Sequence, residues 1–237
     1  MSRNQPPFRA DHVGSLLRPT RLMEARAKKA AGELSAEGLR EVEDGAIRDV
    51  VAMQRDVGLQ SATDGEFRRA AWHMDFIYQL GGVTQAPEKL HVQFFNEAGT
   101  LDFAPAALRI SDRIRLGETI FADHFAFLKA QVGDGITPKL TIPSPSMVHY
   151  RGGRAAIDEA VYPELDEFWE DLTTAYAEEV RRLGNLGCTY LQLDDTSLAY
   201  LNDPRQRELI ASMGGDREHQ HEFYIRNINR VLAAKPP

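Results

Sequence analysis

Apolar residues recur at helical spacing over three long stretches of the chain. From Ser35 to Val57, the residues Leu39, Val42, Ala46, Ile47, Val50, Val51 and Val57 lie close to one stripe, which predicts an amphipathic helix. Ser35 offers an N-cap and Glu37 a carboxylate in the first turn. Phe121, Phe125, Leu128 and Val132 predict a helix over residues 119–132. Leu165, Phe168, Leu172, Tyr176, Val180 and Leu183 predict another over residues 163–186, and their spacing marks these aromatics as core. Asp203-Pro204 reads as an N-cap followed by proline at the first helical position, and a last helix is predicted over residues 217–234.

Short runs between these stretches read as strands. They are Asp11-His12-Val13-Gly14-Ser15-Leu16-Leu17, closed by Arg18-Pro19; Leu59 to Thr63; Lys139 to Ile142; and Thr189 to Leu193. Pro143-Ser144-Pro145-Ser146 stops the third of them. Strands alternating with helices predict a parallel sheet with helical crossovers. Residues 81–117 break the rhythm with Gly81-Gly82, an extended Leu90-His91-Val92-Gln93-Phe94-Phe95 and an extended piece near Leu108-Arg109-Ile110. This stretch reads as an inserted hairpin over one end of the sheet. A closed eight-fold barrel takes about 250 residues before insertions. The expected fold is therefore α/β, of (β/α)8 TIM-barrel type, with residues 1–237 forming one domain that holds only the first half, about four βα units. The last helix is expected to feed a fifth strand, but the sequence stops at Lys235-Pro236-Pro237.

Composition narrows the function classes. The chain carries 28 Lys and Arg against 35 Asp and Glu, a formal net charge of -7, which argues against a nucleic-acid surface. The nearest basic patch, Arg26-Ala27-Lys28-Lys29, reads as a solvated helix face. No apolar run approaches the roughly 18 residues of a membrane span, and Met1-Ser2-Arg3-Asn4-Gln5-Pro6-Pro7 lacks the apolar stretch of a signal peptide. With one cysteine, Cys188, no internal disulfide is possible, and a cytoplasmic location is expected.

Chemistry is expected where the strands end, because ligands of parallel α/β proteins bind outside the carboxyl ends of the strands. Thr63-Asp64-Gly65-Glu66-Phe67-Arg68 and Leu191-Gln192-Leu193-Asp194-Asp195 each run from a strand into carboxylates. By strand alternation Tyr190, Gln192 and Asp194 share one face, and Leu191, Leu193 and Asp195 the other. Asp194 is then a candidate for a substrate amine, or equally for a salt bridge or a helix cap. Glu66 is a candidate for the same cation, or for a local ion pair with Arg68 or Arg69. Gly14-Ser15 gives a close backbone approach, a hydroxyl and an amide N–H, which suits a carboxylate. His219 and His221 are spaced too far around a helix to chelate one ion; His12 and His73 could approach the rim, but a lone histidine is more often a hydrogen-bonded structural residue. Cys188 lacks a Cys-x-x-Cys partner. There is no phosphate loop, nucleophile elbow or dinucleotide fingerprint.

The runs Asp11-His12-Val13-Gly14-Ser15-Leu16-Leu17-Arg18-Pro19, Thr63-Asp64-Gly65-Glu66-Phe67-Arg68, Trp72-His73-Met74-Asp75-Phe76 and Leu191-Gln192-Leu193-Asp194-Asp195 resemble cobalamin-independent methionine synthase, in particular its short single-barrel relatives. The resemblance implies a (β/α)8 barrel and methyl transfer from 5-methyltetrahydrofolate to the thiol of homocysteine. It implies that Gly14 and Ser15 contact the homocysteine carboxylate, and that Glu66 and Asp194 hold its amino group. It also implies a zinc ion on the thiolate, whose His-x-Cys, glutamate and cysteine ligands belong to later strands and are not in this chain. Ile142-Pro143-Ser144-Pro145-Ser146 stands where the full-length enzyme has a tryptophan-containing loop. The expected partners are the small thiol and its methyl donor, and a second copy or a second chain completing the barrel. The alternatives are a transferase that alkylates another small thiol or uses a non-folate donor, and an inactive half-barrel.

Overall fold

The computed structural model describes residues 5–89, 92–96, 99–103, 106–150 and 152–237, with side chains described outside residues 87–106. In chain order, α1 (Thr20–Ala30) is followed by α2 (Ala36–Asp56), where Ser35 caps the first turn by accepting from Gly38 N at 3.0 Å. Next come β1 (Ser61–Ala62), α3 (Met74–Ile77), β2 (Gly81–Lys89), β3 (Val92–Asn96), β4 (Gly99–Phe103) and β5 (Ala106–Arg115). They are followed by α4 (Ala122–Gln131), β6 (Thr137–Pro138), β7 (Leu140–Pro143), α5 (Ser146–Tyr150), a 3-10 turn at Gly153–Ala156, and α6 (Leu165–Asn185). The chain continues through β8 (Leu191–Asp194), α7 (Ser197–Tyr200), α8 (Pro204–Ser212) and α9 (Gln220–Leu232). Asp203 accepts from Arg205 N at 2.9 Å with Pro204 at the first helical position of α8.

The result is a mixed α/β fold. Its strands form two-stranded sheets, and no sheet closes among the described residues. β1 runs parallel to β6, with Ser61 opposite Thr137 and Ala62 opposite Pro138. β7 pairs with β8: Leu140 N donates to Tyr190 O at 3.1 Å, and Ser144 N to Asp194 O at 2.8 Å. β2 runs antiparallel to β5, and β3 to β4. Of the extended stretch expected at Leu90–Phe95, residues 92–95 lie in β3, and Leu90 and His91 lie outside the described residues, as do Met1, Ser2, Arg3 and Asn4.

The expected first strand, Asp11–Leu17, is not a strand. Its carbonyls are taken by side-chain donors instead of a neighbouring backbone. Arg26 also departs from expectation. While Lys28 and Lys29 are exposed, its guanidinium donates to Phe67 O at 2.6 Å and Arg69 O at 2.9 Å. A helix face that reads as basic from composition spends one of its charges on the turn after β1.

The chain divides into two units. The first comprises Met1–Trp72, Phe121–Ile142 and Asn185–Gln192. Its core joins Leu22, Ala46, Ile47, Val50, Val51, Ala62, Phe67, Leu128 and Val132. These are the stripes of α1, α2 and α4 closing on β1, as amphipathic helices must. The second comprises His73–Ile120, Pro143–Gly184 and Leu193–Pro237. Aromatic rings fill its core: Phe168 meets Trp169 edge-on at 5.3 Å between centroids, and Phe76 lies 5.4 Å from Tyr176.

Candidate functional site

Three of the four candidate residues, Gly14, Ser15 and Glu66, belong to the first unit, and two of them are brought into contact. β1 ends at a tight turn. Gln54, buried in α2, accepts from Thr63 N at 3.0 Å and donates to Thr63 O at 2.8 Å, so a side-chain amide pairs the backbone where the strand stops. Asp64 Oδ1 then accepts from Glu66 N at 2.8 Å, and Gly65 and Glu66 both turn left-handed, with φ of 65° and 57°. Glycine tolerates that conformation and glutamate does not favour it. Backbone strain at a non-glycine residue is concentrated at functional sites in proteins generally.

The turn presents the Glu66 side chain to Gly14. A Cβ built on Gly14 would lie 2.8 Å from Glu66 Oε1, 2.9 Å from Thr141 Cγ2 and 3.0 Å from Thr141 Oγ1. Only glycine admits the carboxylate that closely. Thr141 Oγ1 donates to Glu66 Oε1 at 2.8 Å, and Arg69 Nη1 stands 3.5 Å from the same oxygen. Arg69 is itself buried. It donates to Thr141 O at 2.8 Å and lies 4.2 Å over the Phe121 ring. The local ion pair considered for Glu66 is thus present with Arg69. Arg68 pairs instead with Glu43 and Asp44 of α2. Ser15, next to buried Gly14, is exposed.

Beside this turn, Lys139 Nζ donates to Asp11 Oδ2 at 2.8 Å, and Tyr190 and Ser61 hydroxyls add further bonds to the same carboxylate. Burial pushes the Asp11 pKa up, but those bonds outweigh it and hold the carboxyl below its usual range.

Asp194, the fourth candidate, belongs to the second unit, where it closes β8 half-buried. Its neighbour Asp195 takes a capping role of its own. Asp195 accepts from Ser144 Oγ at 2.6 Å, from Ser146 Oγ, from Ser197 Oγ at 2.5 Å and from Leu198 N at 3.1 Å. It ties the end of β7 to the start of α7. Strand alternation put Asp195 on the face of Leu191 and Leu193, opposite Asp194, and missed this role. The available signal was the cluster of hydroxyls in Pro143-Ser144-Pro145-Ser146 and Thr196-Ser197.

No protein-family model matches the chain. It is 39% identical over 230 residues to YxjH of Bacillus subtilis, an uncharacterized protein, covering 97% of this chain and 59% of that one. A crystal structure described as the "Putative Vitamin-B12 Independent Methionine Synthase" from Listeria monocytogenes superposes with a TM-score of 0.78 at 38% identity, over 98% of this chain and 63% of that one. The chain is similar to B12-independent methionine synthases. The methionine synthase of Pyrococcus horikoshii is a more distant relative, 24% identical over 194 residues, or 81% of this chain and 52% of that protein. The chain spans about three fifths of the length of the first two and half of the third.

A methionine-synthase-like reading implies zinc, and the residues described do not fit it. No group of three or more His, Cys, Asp or Glu side chains converges among the described residues. Burial pushes the Cys188 thiol up to about 11, and the thiol donates to Tyr190 O at 3.6 Å. His12 Nε2 lies 3.1 Å from Gly14 O, a structural contact as expected. No helix among the described residues is long and apolar enough to cross a membrane.

Proposed function

We propose that this chain carries the amino-acid-binding part of an S-methyltransferase of the methionine synthase kind, built on a (β/α)8 barrel. Gly14 and Ser15 receive the carboxylate of homocysteine, and Glu66 receives its ammonium group. In the reaction the homocysteine sulfur attacks the methyl carbon of 5-methyltetrahydrofolate. The carbon–nitrogen bond breaks, the carbon–sulfur bond of methionine forms, and the thiol proton ends on the donor nitrogen.

The observation that carries this reading is the contact between Gly14 and the Glu66 carboxylate, held by Thr141 and Arg69. A buried acidic group fixed beside a glycine backbone and an exposed serine supports a zwitterionic ligand. The similarity to B12-independent methionine synthases supports homocysteine as that ligand. The test is titration calorimetry of L-methionine and L-homocysteine into the full chain, followed by transfer from 5-methyltetrahydrofolate. Absence of amino-acid binding sinks the proposal.

A second reading keeps the amino-acid site and changes the reactants to another small thiol or a non-folate donor. The higher identity to YxjH, whose name carries no reaction, than to the methionine synthase of Pyrococcus horikoshii favours testing it. A panel of thiol acceptors decides: another thiol alkylated while homocysteine is ignored selects this version.

A further inference from the structure

Residues 12–14 have no strand neighbour, yet three successive carbonyls there each accept a hydrogen bond from a different side chain. Lys139 Nζ donates to His12 O at 2.5 Å, Gln192 Nε2 to Val13 O at 3.0 Å, and Thr63 Oγ1 to Gly14 O at 2.8 Å. Thr63 follows β1, Lys139 lies between β6 and β7, and Gln192 lies in β8. A backbone ladder fixes a strand as a whole. Side-chain donors fix chosen atoms, each only as well as its own rotamer is held.

Two of those rotamers, Lys139 and Thr63, are held by burial and further bonds. Lys139 is 1% exposed, bonded to Asp11 and 5.0 Å over the Tyr190 ring. Thr63 is buried and also accepts from Gly65 N at 3.2 Å, so one hydroxyl joins the Gly14 carbonyl to the turn that carries Glu66. Leu16 N donates to Gly65 O at 3.1 Å and closes the same connection from the other side of Ser15. Ser15 therefore sits in a segment pinned on both flanks, while its own side chain remains exposed.

We infer that Thr63, Lys139 and Gln192 are positioning residues that set the Gly14–Ser15 turn for the carboxylate of the substrate amino acid. The inference rests on the proposed function, in which that turn takes the carboxylate and Glu66 the ammonium. Loosening the turn must therefore weaken recognition of one end of the ligand and spare the other.

The experiment compares L-methionine with its decarboxylated amine, titrated into the full chain and into Gln192→Leu, Thr63→Val and Thr63→Ser, with melting temperatures as a check on folding. Wild type is expected to prefer methionine. Gln192→Leu is expected to lose about tenfold in methionine affinity, the scale of one hydrogen bond, with the amine unchanged; Thr63→Val, which also releases the turn that carries Glu66, is expected to lose more methionine affinity than amine affinity. Thr63→Ser keeps the hydroxyl and restores wild-type affinity. Should Thr63→Val fail to fold, Gln192→Leu carries the test alone. If wild type prefers methionine but the variants weaken both ligands alike, or neither, the inference is overturned and the proposed function stands. If wild type does not distinguish the ligands, the carboxylate role of Gly14–Ser15 falls, and the inference with it.

Discussion

Gly14 and Glu66 meet so closely that a methyl group at position 14 would stand 2.8 Å from the Glu66 carboxylate. Thr141 blocks a second direction at 2.9 Å, so the new atom displaces the carboxylate, the threonine or the turn itself. Gly14→Ala is expected to cost about 1–3 kcal/mol, as overpacking does in well-filled sites. Methionine affinity is expected to fall by more than the loss of stability alone explains. Calorimetry and thermal melting of the same preparation separate the two. A folded Gly14→Ala with unchanged affinity shows that the ligand does not use this close approach.

Glu66→Gln keeps the shape of the side chain and removes its charge. Thr141 Oγ1 still finds an oxygen to donate to, but buried Arg69 loses its counter-charge, so the variant is expected to melt lower than wild type and its folding is checked by thermal melting before binding is read. A charge-assisted bond to an ammonium is worth about 1.5–3 kcal/mol, so methionine affinity is expected to drop roughly 10–100-fold. Binding of the same ligand measured at two salt concentrations checks the electrostatic origin. The loss in Glu66→Gln should be larger at low salt.

The helices were legible because each buries a stripe written into the sequence. Phe168, Leu172, Tyr176, Val180 and Leu183 are all buried along α6, and Ser35 and Asp203 cap where their side chains allow. The turn at Glu66 was legible as acidic, but its left-handed backbone was not. Asp64-Gly65 is a turn signal, and Asp64 bonds Glu66 N as Asx turns do, but that signal does not extend to a left-handed glutamate. The segment 11–17 reads as a strand by alternation, because alternation reports side-chain faces and is silent on which atoms fill the backbone bonds. Those bonds come from Thr63, Lys139 and Gln192, far away in sequence. Asp195 escaped for the same reason, its partners being serines whose hydroxyls have no periodic signature.

In the second unit, His149 and Tyr224 share a buried hydrogen bond, Nδ1 to hydroxyl, at 2.9 Å. Trp169 lies 5.3 Å from the His149 ring, and burial pushes the imidazole down to about 4, so it stays neutral near pH 7. Tyr224→Phe leaves a buried ring nitrogen short of a partner and is expected to cost about 1–3 kcal/mol. His149→Phe removes the other side of the pair. The double variant is expected to be less destabilised than the sum of the two single ones, since they break one bond. A double-mutant cycle by denaturant melts tests this, and strict additivity would show that the bond contributes nothing.

Glu179, fully buried in α6, carries the clearest pH signature. Its Oε2 accepts from Ile120 N at 3.1 Å, and Oε1 has no hydrogen-bond partner among the described residues. Burial is the largest influence and pushes its pKa to about 8, outweighing the opposing pull of the Ile120 amide and Arg182. The folded state therefore holds a proton that the unfolded state, titrating near 4.5, has released. Below that lower value both states are protonated and the contribution to stability is complete. As pH rises, the unfolded state gains by ionising, and stability is lost progressively until the folded carboxyl also ionises at about 8. Glu179→Gln keeps the acceptor for Ile120 N and removes the titration. Its melting temperature is expected to vary less than that of wild type between about pH 5 and pH 8. His149, depressed rather than raised, acts in the opposite sense and only below its ordinary value of 6.5, so the interval from there to about 8 isolates Glu179. Parallel melting curves for wild type and Glu179→Gln across that interval would show that the carboxyl is already ionised in the folded protein.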